Sequence, residues 1–201
     1  MKRITLIVCI ALLCACATPE KKTTEESVAH EHAESNDHGD HSSEAPKEVK
    51  KPLSPRTSSM SNIGDNHVHI DYGSPGKRGR MIFGGLVGYG TIWATGAHKA
   101  TYINFGKDVI VNDVAIATGK YGLFTIPGES EWTIIISKDW DMHLADEYDE
   151  ANDIVRIQAP VQNLDEVVES LTFEINEADE KNGTVTIKWD QTAVFFDVKN
   201  Q

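Results

Sequence analysis

Histidine, arginine and carboxylate carry any chemistry this chain can do, because its three cysteines, Cys9, Cys14 and Cys16, all lie in the first few residues. His67 and His69 stand two apart in His67-Val68-His69-Ile70-Asp71-Tyr72, and Asp71 continues the same phase. On an extended strand such residues share a face with Cα atoms roughly 6.5 to 7 Å apart, close enough to share one metal ion. With His98 as a third imidazole, the centre would keep an open position and could activate water for hydrolysis. A second group, His30, His32, His38 and His41, is interleaved with Glu31, Glu34, Asp37 and Asp40. Imidazole and carboxylate are the ligands that zinc or copper takes from a thiol-free chain. The plainer reading makes the first group a solvent-facing strand surface and the second a polar spacer. The expected cofactor is accordingly none, with zinc or copper as the alternative.

Anion binding is the other chemistry on offer. Gly73, Gly76 and Gly79 surround Pro75 and carry Lys77, Arg78 and Arg80, and a second glycine-rich stretch holds Gly84, Gly85, Gly88 and Gly90. Successive backbone amides in such turns, with Arg80 nearby, can cradle a carboxylate or phosphate. Tyr72, Lys77, Arg80, Trp93, Thr95 and His98 are the ligand-binding candidates. The structural alternative is that Arg80 pairs with a domain carboxylate while the glycines turn corners. No Gly-Lys-Ser/Thr ending marks a phosphate loop, and no dinucleotide-binding spacing occurs. No Gly-x-Ser-x-Gly is present, and the acidic run from Asp139 to Asp153 lacks the spacing of a calcium-binding loop. No catalytic residue is assigned. Trp93, Trp132, Trp140 and Trp189 read as core anchors before stacking platforms.

The elements that position these groups divide the chain into three. Residues 1–15 read as a lipoprotein signal: Lys2 and Arg3, an apolar run through Leu13, then a small residue before Cys16. Cys16 is the expected lipidation site, with Cys14 disfavoured by the bulky Leu13 before it. This predicts a cell-envelope protein held by its lipid, with the outer membrane as the favoured bilayer. Residues 16–52 contain no aromatic residue, Leu or Ile and read as a disordered tether. Residues 53–201 have the composition of one globular domain. Without cysteines that domain must hold together by packing alone. The net charge of -12 repels polyanions, so nucleic acid is excluded as a partner.

Alternation of period two dominates the domain and predicts strands near residues 67–72, 101–105, 108–111, 120–126, 131–136, 153–158, 171–175, 184–189 and 193–198. Asn112-Asp113, Asn182-Gly183 and Pro127-Gly128 supply the turns. Only Asn163 to Ser170 and Trp140 to Glu147 leave room for a helical turn. The expected fold is an all-β antiparallel sandwich of about nine strands, with a closed barrel as runner-up.

Ser54-Pro55-Arg56, the run from Ile70 through Gly73-Ser74-Pro75-Gly76 to Val87, Tyr89-Gly90, Trp93-Ala94-Thr95-Gly96-Ala97-His98 and Gly119-Lys120-Tyr121-Gly122 resemble a bacterial family, as does Glu131-Trp132-Thr133. The family is domain of unknown function 2911, and the resemblance covers nearly all of Leu53 to Val198. It implies an exported all-β domain with no assigned activity. Ala94 and His98 stand where the family tends to have arginine and asparagine, so an anion contact made by that arginine would be missing here. The leading expectation is a non-catalytic module that binds an envelope ligand or partner through the loops of Gly73 to Thr101. The alternative is a metal-binding or metal-dependent hydrolytic protein.

Overall fold

The computed structural model describes residues 52–201, and ten strands build two antiparallel sheets. In chain order they are β1 (Arg56–Ile63), β2 (Asn66–Gly73), β3 (Tyr102–Phe105), β4 (Val109–Val111), β5 (Val114–Ile116), β6 (Gly119–Ile126), β7 (Glu131–Ser137), β8 (Asp153–Pro160), β9 (Gln162–Glu177) and β10 (Asn182–Asn200). One sheet has the order β1-β2-β3-β6-β7-β8 and the other β5-β4-β10-β9, with no closure into a barrel. The architecture is the expected β-sandwich. The one helical element among the described residues is a single 3-10 turn at Glu150–Asn152, capped by the Asp149 side chain.

The alternation has its predicted consequence in β2: Val68, Ile70 and Tyr72 are buried between the sheets, while His67, His69 and Asp71 face outward. From the other sheet, Val109, Val111, Phe173, Val185, Ile187, Trp189 and Val198 meet them in one continuous core. Burying such side chains stabilises by about 1.5 to 3 kcal/mol each. In β7, the fifth strand of the larger sheet, Ile134, Ile135 and Ile136 are all fully buried, so the strand abandons alternation. Its outward residue Ile135 packs with Phe124, Ala94, Ala100 and Met142 in a second, smaller cluster. Loops therefore cover part of the sheet's outer face, and a strand buried on both faces reads as a continuous apolar run.

Three local expectations are corrected. Asn163 to Ser170 is no helical turn but the first half of β9, whose Asn163 and Val168 pair with Thr192 and Asp190 of β10. Long-range pairing outweighs a weak local preference there. Asn182-Gly183 already lies inside β10, with Gly183 paired to Glu177; the turn is built instead by Asp179, whose carboxylate accepts bonds from the Lys181 and Asn182 amides. Gly183 is needed for space, because a Cβ would lie 2.5 Å from Ile63 Cδ1. The two strands expected at 184–189 and 193–198 are one strand, β10. The polar break between them is an irregularity at Asp190, which takes φ 55°. Asn112 and Asp113, by contrast, both take positive φ in the tight β4–β5 turn, as expected.

Candidate functional site

The connection between β2 and β3, residues 74–101, is far longer than a sandwich needs, and ordered loops of that length are commonly functional. Its first part is stitched to β9. Ser74 Oγ donates to the Leu171 carbonyl at 2.8 Å, Lys77 N donates to the Glu169 carbonyl at 2.6 Å, and Leu171 N donates to the Pro75 carbonyl at 3.1 Å. Lys77 Nζ adds an ion pair with Asp190 at 2.5 Å. Its last part takes the place of β3 beside the far half of β6. Trp93 and Thr125 exchange backbone hydrogen bonds of 2.8 and 2.9 Å, and Leu123 N donates to Thr101 O. The buried hydroxyls of Thr95, Thr101 and Thr125 tie this stretch together, since Thr101 Oγ1 donates to Thr95 O and Thr95 Oγ1 bonds Thr125 Oγ1.

Between these two parts lies a cleft of about 610 Å³, within the range of small-ligand sites. Val87, Ile92, Trp93, Ala97 and Trp189 give it apolar walls, and Leu53, Leu86 and Leu144 form an exposed apolar rim. Arg78, Arg80, His98 and His143 also line it, and none of its described lining residues carries a carboxylate. In a chain of net charge -12 that local balance is distinctive. Arg80 braces its own loop, donating from Nε to Lys77 O at 3.1 Å and from Nη2 to Gly76 O at 2.5 Å. It is exposed, and its remaining nitrogen, Nη1, has no partner among the described residues. Asp146 accepts from or pairs with His143 Nδ1 at 2.8 Å and so orients that ring from outside the lining.

Backbone strain gathers in the same place. Arg78, His98 and Leu144, all lining residues, have φ of 48°, 66° and 49°, and buried Thr95 has φ 49°. Positive φ costs a non-glycine residue on the order of 1 kcal/mol or more and concentrates at ligand sites. The surrounding hydrogen bonds enforce it, among them Leu144 N to His98 O at 2.6 Å.

The six sequence candidates separate here. Arg80, Trp93 and His98 meet in the cleft. Tyr72 is a core residue, its hydroxyl placed between Ser59 Oγ and the Phe173 amide. Lys77 is committed to Asp190, and Thr95 is fully buried inside the loop that it braces. Arg80 satisfies backbone carbonyls, so the expected pairing with a carboxylate is not formed. Ala94 is buried in the small outer cluster. Sequence reasoning missed His143, Leu144 and Trp189. Leu144 and Ala145 interrupt the acidic run and Trp189 stands among the tryptophans able to stack, but nothing in their spacing joins them to the glycine-rich loop.

The three-histidine centre is not assembled: among the described residues no group of three or more His, Cys, Asp or Glu could hold a metal ion. His98 turns into the cleft, whereas His67 and His69 stand on the outer face of the larger sheet. The acidic segment instead orders itself, with the Tyr148 hydroxyl donating to Asp153 at 2.6 Å and Arg156 donating to both. Burial first, then the bond to Asp153, push the Tyr148 phenol well above its ordinary value. Cys16, His30, His32, His38 and His41 lie outside the described residues. Among the described residues no helix is long and apolar enough to cross a membrane.

Residues 54–198 match the family described as "Protein of unknown function (DUF2911)". No curated protein and no solved structure matches the chain.

Proposed function

The chain belongs to the DUF2911 family of proteins of unknown function, and for this member we propose a non-catalytic binding module that takes a small anionic ligand with an apolar body. The module is held in the cell envelope by a lipid on Cys16. The observation that carries the reading is the cleft itself, with two arginines, two histidines and no lining carboxylate around tryptophan walls. An apolar body gains by leaving water against Trp93 and Trp189, and an acidic head gains from arginines that no lining carboxylate neutralises. The acidic exterior turns away anions that find no such pocket. Strained, hydrogen-bonded loops set the wall in advance, which lowers the ordering cost of binding.

Decanoate and decyltrimethylammonium serve as matched probes of opposite charge, read by tryptophan fluorescence. Decanoate is expected to give a saturable change and the cation none. Replacing Arg80 by Gln removes a charged donor worth about 1.5 kcal/mol at the weak end of its range, or roughly tenfold in affinity. Equal response to both probes, or an unchanged affinity in Arg80→Gln, refutes the reading.

A further inference from the structure

Strand β1 pairs with β2 over its full length and sets Met60 directly opposite His69 and Asn62 opposite His67. Directly opposed residues in an antiparallel pair point to the same face with Cβ atoms about 4.5 to 5.5 Å apart. That face is the outer one, because Val68 and Ile70 are buried in the core between them. Met60 is 59% exposed, an apolar side chain in a polar strand with no packing role to explain it. The His67 and His69 rings lie 6.5 Å apart, centre to centre, tilted by 34°. Two imidazoles bound to one ion in line, each nitrogen about 2 Å from it and about 1.1 Å from its own ring centre, would stand about 6 Å apart. Small rotations of either ring close the difference.

The hydrogen bonding suits a ligand role too. His67 Nδ1 lies 3.0 Å from Asn62 Oδ1. The amide oxygen accepts the Nδ1 proton, which leaves Nε2 with its lone pair, the arrangement in which a second partner fixes the tautomer of a ligating histidine. Tyr102 meets the His69 ring edge-on at 6.1 Å and limits its swing. Nearby charges are already matched, since Arg56 is paired with Asp71 and Lys120 sits 4.2 Å over the Tyr102 and Trp140 rings.

We propose that Met60, His67 and His69 form a binding site for monovalent copper on the outer face of the six-stranded sheet. Two neutral imidazoles and a thioether make a soft, uncharged, low-coordinate set. It lacks the carboxylate, thiolate or fourth ligand that a closed zinc site requires. The site is separate from the cleft and stands whether or not the cleft binds an anion.

The test uses the full chain with Cys9, Cys14 and Cys16 replaced by Ser and His30, His32, His38 and His41 by Ala, which removes the thiols and the tail imidazoles from competition. It is titrated with Cu(I) without oxygen, against bicinchoninate as competing chelator. One equivalent is expected to bind. Met60→Leu, close in volume and exposed, keeps the fold and is expected to weaken Cu(I) about tenfold or more, and His69→Ala about a hundredfold, in the range that altered metal-site shells produce. The methyl resonance of Met60, in protein labelled at the methionine methyls, should move with Cu(I) and stay fixed with Zn(II). No Cu(I) binding, unchanged affinity in Met60→Leu, or a Met60 methyl indifferent to Cu(I) overturns the proposal.

Discussion

Replacing Gly73 by Ala tests how the cleft wall is held. Gly73 ends β2, and its backbone lies against Gly96 and Ala97 in the second part of the connection. A Cβ there would sit 2.2 Å from Ala97 O and 3.0 Å from Ala97 C and N, and nothing in that set is a flexible side-chain end. Ordinary contact begins near 3.4 Å, so the two backbones must part by about 1 Å, against a core that resists such overpacking at about 1 to 3 kcal/mol. The displaced segment carries the Trp93–Thr125 backbone pair, and weakening it adds about 1 kcal/mol. A loss of about 3 kcal/mol lowers Tm by about 6 to 12 °C in a domain of this size. Gly88→Ala is the control in the same wall, because its Cβ would meet only the Thr91 side chain, its hydroxyl at 3.2 Å and its methyl at 3.9 Å. Its cost should stay within about 0.5 kcal/mol. Thermal melts of the two variants decide the matter, and decanoate binding should fail with Gly73→Ala and survive in Gly88→Ala. Equal melting temperatures for both refute the reasoning.

Two further outcomes concern titration. Tyr148 has its phenol pKa raised by burial and by its bond to Asp153. Its share of stability is thus complete below the unfolded value of 10.0 and is lost as pH rises beyond it. Tyr148→Phe should cost about 1 kcal/mol at neutral pH and flatten the alkaline limb of a urea-midpoint profile; an unaltered limb would count against the assignment. Asp179 is held below its ordinary 3.8 first by the Asn182 side chain, then by the Lys181 and Asn182 amides. Its contribution is present above that value and disappears as pH falls through the lowered one, so hydrogen exchange at residues 178–183 should quicken relative to each amide's intrinsic rate as the pH is lowered. In Asp179→Ala it should already be fast at neutral pH, and protection equal to the parent's would contradict the role given to this turn.

How much could be read in advance depended on whether a feature is local. His67 to Tyr72 alternates because one face is buried, and the pattern alone reveals it. Strand β1 is as long, but Thr57, Ser58, Ser59, Ser61 and Asn62 give it no apolar period; it is a strand because β2 pairs with it. Met60 was therefore invisible as a neighbour of His69. The same holds for the first half of β9, which is mostly exposed and is extended by its pairing with β10. In the cleft, Arg80, Trp93 and His98 come from one glycine-rich connection and could be grouped from their proximity in the chain. His143, Leu144 and Trp189 arrive from other segments and join them only through the fold. Tyr72, Lys77 and Thr95 shared the motif but were drawn into the core, an ion pair and a buried hydroxyl cluster.

The most direct measurement is the indole N–H spectrum of the protein during a decanoate titration. The chain has four tryptophans. Trp93 and Trp189 line the cleft, Trp132 is buried beside them, and Trp140 packs against Tyr102 beneath Lys120, outside the cleft lining. A ligand in the cleft must move the Trp93 and Trp189 signals together, to saturation and with one affinity, while Trp140 stays still. Stationary Trp93 and Trp189 signals, or a Trp140 signal that moves as far as theirs, would contradict the claim that this cleft is the binding site.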